Sequence, residues 1–239
     1  MKRLLAAGYP KIFQICKCFR KNERGGKHLP EFTMLEWYEA DITYFDLMTQ
    51  CEALILLICR QLQMPETLSY QTRQINLHPP WPRLTVTDAF DRFSTMDMQT
   101  AIAQNKFDEI IAFDIEPNLG VGQPVFLCDY PASTAMLCAP KPDDPDIAQR
   151  FELYIAGMEL CNGFTELTDA DEQRKRFAEE LSKRKNAGQD VYPMPKKFID
   201  ALHLMPAASG NALGLDRLVM LFADTDCIDE VVAFTPEDL

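Results

Sequence analysis

The chain of 239 residues carries 36 Asp and Glu against 24 Lys and Arg, a formal net charge of −12. That balance lacks the basic footprint needed to grip a nucleic-acid backbone regardless of sequence, and leaves room for a local basic patch or a basic protein partner. A hydrophobic content of 47% and a charged content of 25% suit a globular protein of one domain, or one with an insert, and no apolar run approaches the ~20 residues of a membrane span.

In chain order, Met1–Ala7 reads as the end of a helix stopped by Gly8, Tyr9 and Pro10, without a leader-peptide pattern. Lys11–Phe19 predicts a strand in which Cys16, Cys18 and Arg20 share one parity. Lys21–Lys27 is a polar loop, and Gly25-Gly26 permits positive φ there. Glu31–Glu39 is the return strand, with Phe32, Met34, Glu36 and Tyr38 on one face. Asp41–Gln63 has helical periodicity through Phe45, Met48, Ile55 and Leu62. The proline-rich stretch at about 64–123 reads as a mostly helical insert decorating the core, with His78 as a loop residue.

Pro124–Tyr130 predicts a strand, and Lys141–Asp146 an exposed turn. Arg150–Leu160 reads as a strand running into a turn at Asn162-Gly163, with Phe164–Leu167 as a short return strand. Thr168 and Asp169 are N-cap candidates for a charged helix over Ala170–Asn186, with Glu172 placed for a capping box. Lys196–Leu204 is another helix, making His203 structural, and Gly214–Phe222 is apolar except for Asp216 and Arg217. Hairpin-spaced strands with helices beside them predict an α+β fold, an antiparallel sheet flanked by helices. Neither GxGxxG nor GxxxxGK[ST] occurs. The eight cysteines, Cys16, Cys18, Cys51, Cys59, Cys128, Cys138, Cys161 and Cys227, form no CxxC pair, the pattern of reduced thiols in a cytoplasmic protein.

Three groups could carry chemistry. Arg217 sits in an apolar helix and needs a partner, because a buried unpaired charge is costly; adjacent Asp216 points elsewhere on a helix. Arg20 would be a surface ion pair if it stood alone. A planar guanidinium suits phosphate, so both are candidates for an anionic nucleotide. Glu159 and Glu166 flank Asn162, and a turn between them would bring both carboxylates towards one cleft.

These segments also carry a resemblance. Phe19–Ala40, FRKNERGGKHLPEFTMLEWYEA, resembles motif 2 of the class II aminoacyl-tRNA synthetases in its lysine-type form. Gly210–Phe222, GNALGLDRLVMLF, resembles motif 3, and Gly157–Asp169, GMELCNGFTELTD, resembles the lysine-pocket segment. Within that class the chain is similar to the short paralogues that attach β-lysine to elongation factor P. Ala212 stands where lysyl-tRNA synthetases carry Gly, and Tyr130-Pro131-Ala132-Ser133 has the ligase form. A methyl at Ala212 would discriminate against α-lysine by roughly 1–3 kcal/mol.

The resemblance implies a single class II catalytic domain and an ATP-dependent ligase. It would activate (R)-β-lysine as an adenylate with Mg²⁺ and transfer it to a lysine of elongation factor P. The family forms homodimers; neither tRNA nor membrane is implied as a partner. Carried over residue by residue, Arg20 and Arg217 are catalytic, on the α- and γ-phosphates. Asn22, Glu23, His28, Phe32, Glu159, Leu160 and Gly214 complete the ATP site. Glu36, Tyr38, Asn162, Glu166 and Ala212 hold the amino-acid substrate, and Glu159 and Glu166 hold metal.

There are departures. Arg20-Lys21-Asn22-Glu23 replaces Arg-Asn-Glu, leaving open whether Asn22 or Glu23 takes the adenine contact. His28-Leu29-Pro30 replaces His-Asn-Pro, and the family's motif 1 and Ser loop would precede Met1. Two alternatives stand beside this reading: a lysyl-tRNA synthetase-like protein activating α-lysine, and a catalytically inactive nucleotide-binding remnant.

Overall fold

The computed structural model describes residues 1–238. A five-residue helix, α1 (Lys2–Ala6), leads into β1 (Lys11–Phe19) and β2 (Glu31–Ala40), an antiparallel pair running in register from Lys11↔Glu39 to Phe19↔Glu31. Helix α2 (Tyr44–Gln61) starts at a capping box in which Thr43 and Asp46 satisfy each other's free backbone groups. The next stretch holds a hairpin, β3 (Thr67–Tyr70) and β4 (Arg73–Asn76), and a short strand, β5 (Arg83–Thr85). Three helices follow, α3 (Val86–Phe93), α4 (Met98–Ala103) and α5 (Phe107–Ile110). The segment thus carries three short strands beside its helices, and β5 joins the main sheet in parallel beside β6 (Val125–Pro131).

β7 (Ile147–Ile155) and β8 (Met158–Thr165) form a hairpin, followed by α6 (Ala170–Asn186), α7 (Lys196–Leu202), β9 (Ala208–Gly214) and α8 (Leu215–Phe222). The main sheet has seven strands in the order β1-β2-β9-β8-β7-β6-β5. The fold is α+β, as the strand spacing predicts.

One boundary is corrected. Asn162-Gly163 is not a turn but lies inside β8, and the chain reverses at Ala156-Gly157, where φ is +56° and +73°. Gly163 serves packing: a Cβ there would lie 2.6 Å from the Phe151 ring.

The register sets up one polar face. Glu36 pairs with Ala212, Ala212 with Asn162, and Asn162 with Glu152, a row across four strands. Residues in register share a face. The opposite face is apolar. Leu213, Cys161, Phe151 and Leu153 pack there against Met48, Cys51, Ile55 and Cys59 of α2, all buried. A second core, around Phe90, Phe107, Ile111 and Leu127, holds the 84–130 region to the far end of the sheet. Among the described residues no helix is long and apolar enough to cross a membrane.

Candidate active site

The β1–β2 hairpin, β8, β9 and the first turn of α8 line a partly open cleft with about 120 Å³ of space for water-sized groups. Both arginines line it. Arg217 leaves α8 and meets backbone first: Nη1 donates to the Glu159 carbonyl at 2.7 Å and Nε to the Lys27 carbonyl at 3.3 Å. Its Nη2 donates to His28 Nε2 at 2.5 Å, and Glu159 Oε2 lies 3.4 Å from Nη1. Burial, then the Arg217 charge, lowers the His28 pKa, so the imidazole is neutral at pH 7 and free to accept. Asp216 is occupied elsewhere, accepting from the Thr33 amide at 2.6 Å and tying α8 to β2.

Arg20 is the looser of the two. Its side chain is 57% exposed, pairs with Glu23 at 3.3 Å, and sits 5.3 Å from the centre of the Phe32 ring. Glu23, His28 and Phe32 line the cleft with it, as do Leu160, Asn162, Ala212 and Gly214. Asn22 does not: it is an exposed turn residue at φ +64°. Of the two residues the sequence leaves open, Glu23 faces the cleft and Asn22 does not.

The other end of the polar face is filled rather than open. Glu36 accepts from the Gln14 side-chain amide, Tyr38 is buried, and neither lines the cleft. Glu166 is 3% exposed, and its Oε2 lies 2.5 Å from Lys2 Nζ. That ammonium also stands 4.9 Å above the Phe164 ring. Burial raises the Glu166 pKa to about 7 against the pull of Lys2. Burial, then Glu166 and Glu36, raises that of Tyr38.

Glu159 and Glu166 are therefore not brought together as a metal pair. They stand at opposite ends of β8, on the order of 20 Å apart along an extended strand. The neighbour of Glu159 is one the sequence reading passed over, Glu152. Glu152 is 8% exposed and accepts from Tyr130 Oη at 2.5 Å, Tyr154 Oη at 2.7 Å, Arg150 Nη2 at 2.5 Å and Asn162 Nδ2 at 3.0 Å. A signal existed. Arg150 and Glu152 alternate in the otherwise apolar run Phe151–Ile155, so period 2 puts both on one face that must be polar.

Burial, then the Glu152 charge, raises the Glu159 pKa to about 7, while Arg217 lowers it. The Glu159 carboxylate, which lines the cleft while the Glu152 oxygens are taken by four donors, offers hard oxygen ligands of the kind a divalent cation takes. Among the described residues no three acidic, His or Cys side chains converge as a protein-only cage. Mg²⁺ does not require one, because it is usually held by one or two carboxylates plus substrate phosphates.

The family model for class II tRNA synthetases (D, K and N) matches residues 1–238. The chain belongs to the class II aminoacyl-tRNA synthetase family. A relative from Edwardsiella ictaluri named elongation factor P–(R)-β-lysine ligase is 41% identical over 98% of this chain and 74% of its own length. One of the same name from Pectobacterium atrosepticum is 39% identical over 99% of this chain and 75% of its own. A lysine–tRNA ligase from Moorella thermoacetica is 34% identical, but the chain spans only 52% of it. For this class II domain the three segments of the resemblance meet on one sheet face: the β1–β2 hairpin, β8, and β9 with α8.

Proposed function

We propose that the protein is an ATP-dependent ligase that adenylates (R)-β-lysine and transfers it to a lysine side chain of elongation factor P. The observation that carries this reading is the sharing of one cleft by Arg20, Arg217 and Glu159, in a chain about 40% identical to relatives bearing that name. A substrate carboxylate oxygen attacks the α-phosphorus of ATP, the bond to the β-phosphate breaks, and pyrophosphate leaves. The lysine amine of the acceptor then attacks the adenylate carbonyl, losing a proton, and AMP departs.

Charge spreads over phosphate oxygens in the first step, so fixed cations do most of the work. Arg217, held by two carbonyls and neutral His28, is pre-oriented; Arg20 is free to turn onto phosphate. Glu159, beside Glu152, would hold Mg²⁺, which supplies a further positive charge against the phosphates. Ala212 and Asn162 border the cleft next to the row leading to Glu36, the side on which the amino acid would lie.

The test is ATP–pyrophosphate exchange with purified protein, followed by the mass of elongation factor P. The reading expects exchange with (R)-β-lysine and a gain of one lysyl residue on the factor. Exchange with α-lysine alone, together with tRNA charging, would establish instead the reading favoured by the Moorella relative. Nucleotide binding with no exchange under any amino acid would leave an inactive remnant.

A further inference from the structure

The hairpin loop over the cleft has little apolar anchorage. From Lys21 to His28 every residue is exposed or half-buried, and Leu29 is the first buried one. Yet Glu23, Lys27 and His28 face the cleft from this loop. A segment without buried contacts opens at low cost unless something else holds it.

What holds it lies on its outer side. The Arg24 guanidinium donates to both oxygens of Asp229, at 3.0 and 2.8 Å, and to both oxygens of Glu237, at 3.0 Å each. A planar fork met two-pronged by carboxylates is a strong and directional arrangement. The hydrogen bonds from Arg24 push the Glu237 pKa down to about 2. Nearby, the Ile228 amide donates to the Gly26 carbonyl at 2.8 Å, and Ile228 itself is buried and lines the cleft. Gly25 and His28 close the loop tip with reciprocal backbone bonds of 3.0 and 3.1 Å.

We propose that Arg24 is a positioning residue: its clasp on Asp229 and Glu237 fastens the loop to the C-terminal segment and presets Glu23, Lys27 and His28 towards the nucleotide. Arg24 does not line the cleft, so it acts through these neighbours. Ordering the loop in advance spares nucleotide binding that entropic cost. The ion pairs are exposed, so their contribution to global stability is small. This inference rests on the reading that the cleft takes ATP.

The experiment uses the full chain with Arg24→Ala, Arg24→Lys and the double change Asp229→Asn with Glu237→Gln. ATP KM and kcat are measured by pyrophosphate exchange, Tm by calorimetry, and amide hydrogen exchange over 21–29 without nucleotide. Arg24→Ala is expected to raise the ATP KM on the order of tenfold, with kcat and Tm nearly unchanged and faster loop exchange. The double change should match it, and Arg24→Lys should recover only part, because an ammonium cannot bridge two carboxylates with paired bonds. Unchanged KM and unchanged loop protection would overturn the clasp. Loss of kcat together with Tm would overturn it too, marking a structural role. If the unaltered protein shows no exchange activity, the functional reading fails, and loop protection alone then judges the clasp.

Discussion

Glu159 and Glu166 stand at the two ends of β8, and both carboxyls reach a pKa of about 7, by different routes. At the Glu159 end, burial and the charge of Glu152 push upward and Arg217 pulls down, and 35% of the Glu159 side chain remains exposed. At the Glu166 end burial acts against Lys2, and only 1% of the side chain is exposed. One carboxylate can exchange its neighbour for an incoming cation through open space. The other already has an ammonium from its own chain, under an aromatic ring, and an added amine would have to displace Lys2. The contrast teaches that a carboxylate's identity and elevated pKa do not make a site; the space beside it does.

The largest effect should come from removing the cation of the open end. Arg217→Ala is expected to slow pyrophosphate exchange on the order of 10²–10³-fold, as loss of a fixed charge at a developing oxyanion does. Arg217→Lys should stay close to that level, since the three donors of an ammonium cannot serve the Lys27 and Glu159 carbonyls, His28 and phosphate together. Activity within a few-fold of the parent would mean that Arg217 only pins α8 to β8, and the contrast between open and filled ends would break.

The filled end should answer in stability instead. The folded-state pKa of Glu166 is raised above its ordinary value, so the folded protein keeps a proton that the unfolded chain has released. Its stabilising effect is complete below about pH 4.5 and is lost as pH rises towards about 7. The span is on the order of 3 kcal/mol. Glu166→Gln should flatten the fall in stability across that window, measured by urea unfolding from pH 4.5 to 8. Glu159→Gln should flatten it less, because solvent screens a side chain that is a third exposed. Equal slopes for both variants would erase the distinction between the ends.

Much of this was legible in the sequence where pattern and propensity agree. β1 has the predicted limits, and α6 starts at the predicted Asp169 cap, whose carboxylate accepts from the Asp171 and Glu172 amides. Arg20, Arg217, Glu23, His28 and Phe32 share a cleft although Arg217 is nearly 200 positions from the rest.

What was not legible lies where small residues do the packing. β9, Ala208–Gly214, contains no β-branched or aromatic residue, so nothing in its composition marks it as a central strand. It is one because a Cβ at Gly210 would lie 2.3 Å from the Tyr38 ring, a fit visible only once β2 and β9 are paired. Likewise Asn162-Gly163 carries a strong local turn signal that is overridden by Phe151 on the neighbouring strand. Glu166 was read into the cleft because that false turn would have folded it back beside Glu159.

The smallest effect separates two neighbours within the open end. Asn22 and Glu23 adjoin in the hairpin loop, but only Glu23 faces the cleft, where it also pairs with Arg20 at 3.3 Å. Glu23→Gln keeps the shape and removes the charge that holds Arg20, and should raise the ATP KM a few-fold, in line with the modest worth of an exposed pair. Asn22 sits at φ +64°, a conformation glycine adopts without strain, so Asn22→Gly should leave both the ATP KM and Tm unchanged. The reverse result, with Asn22→Gly weakening ATP and Glu23→Gln silent, would move the adenine-side contact to Asn22. The loop would then have to turn over to reach nucleotide, and Arg24 with its two carboxylates would be the restraint it has to break.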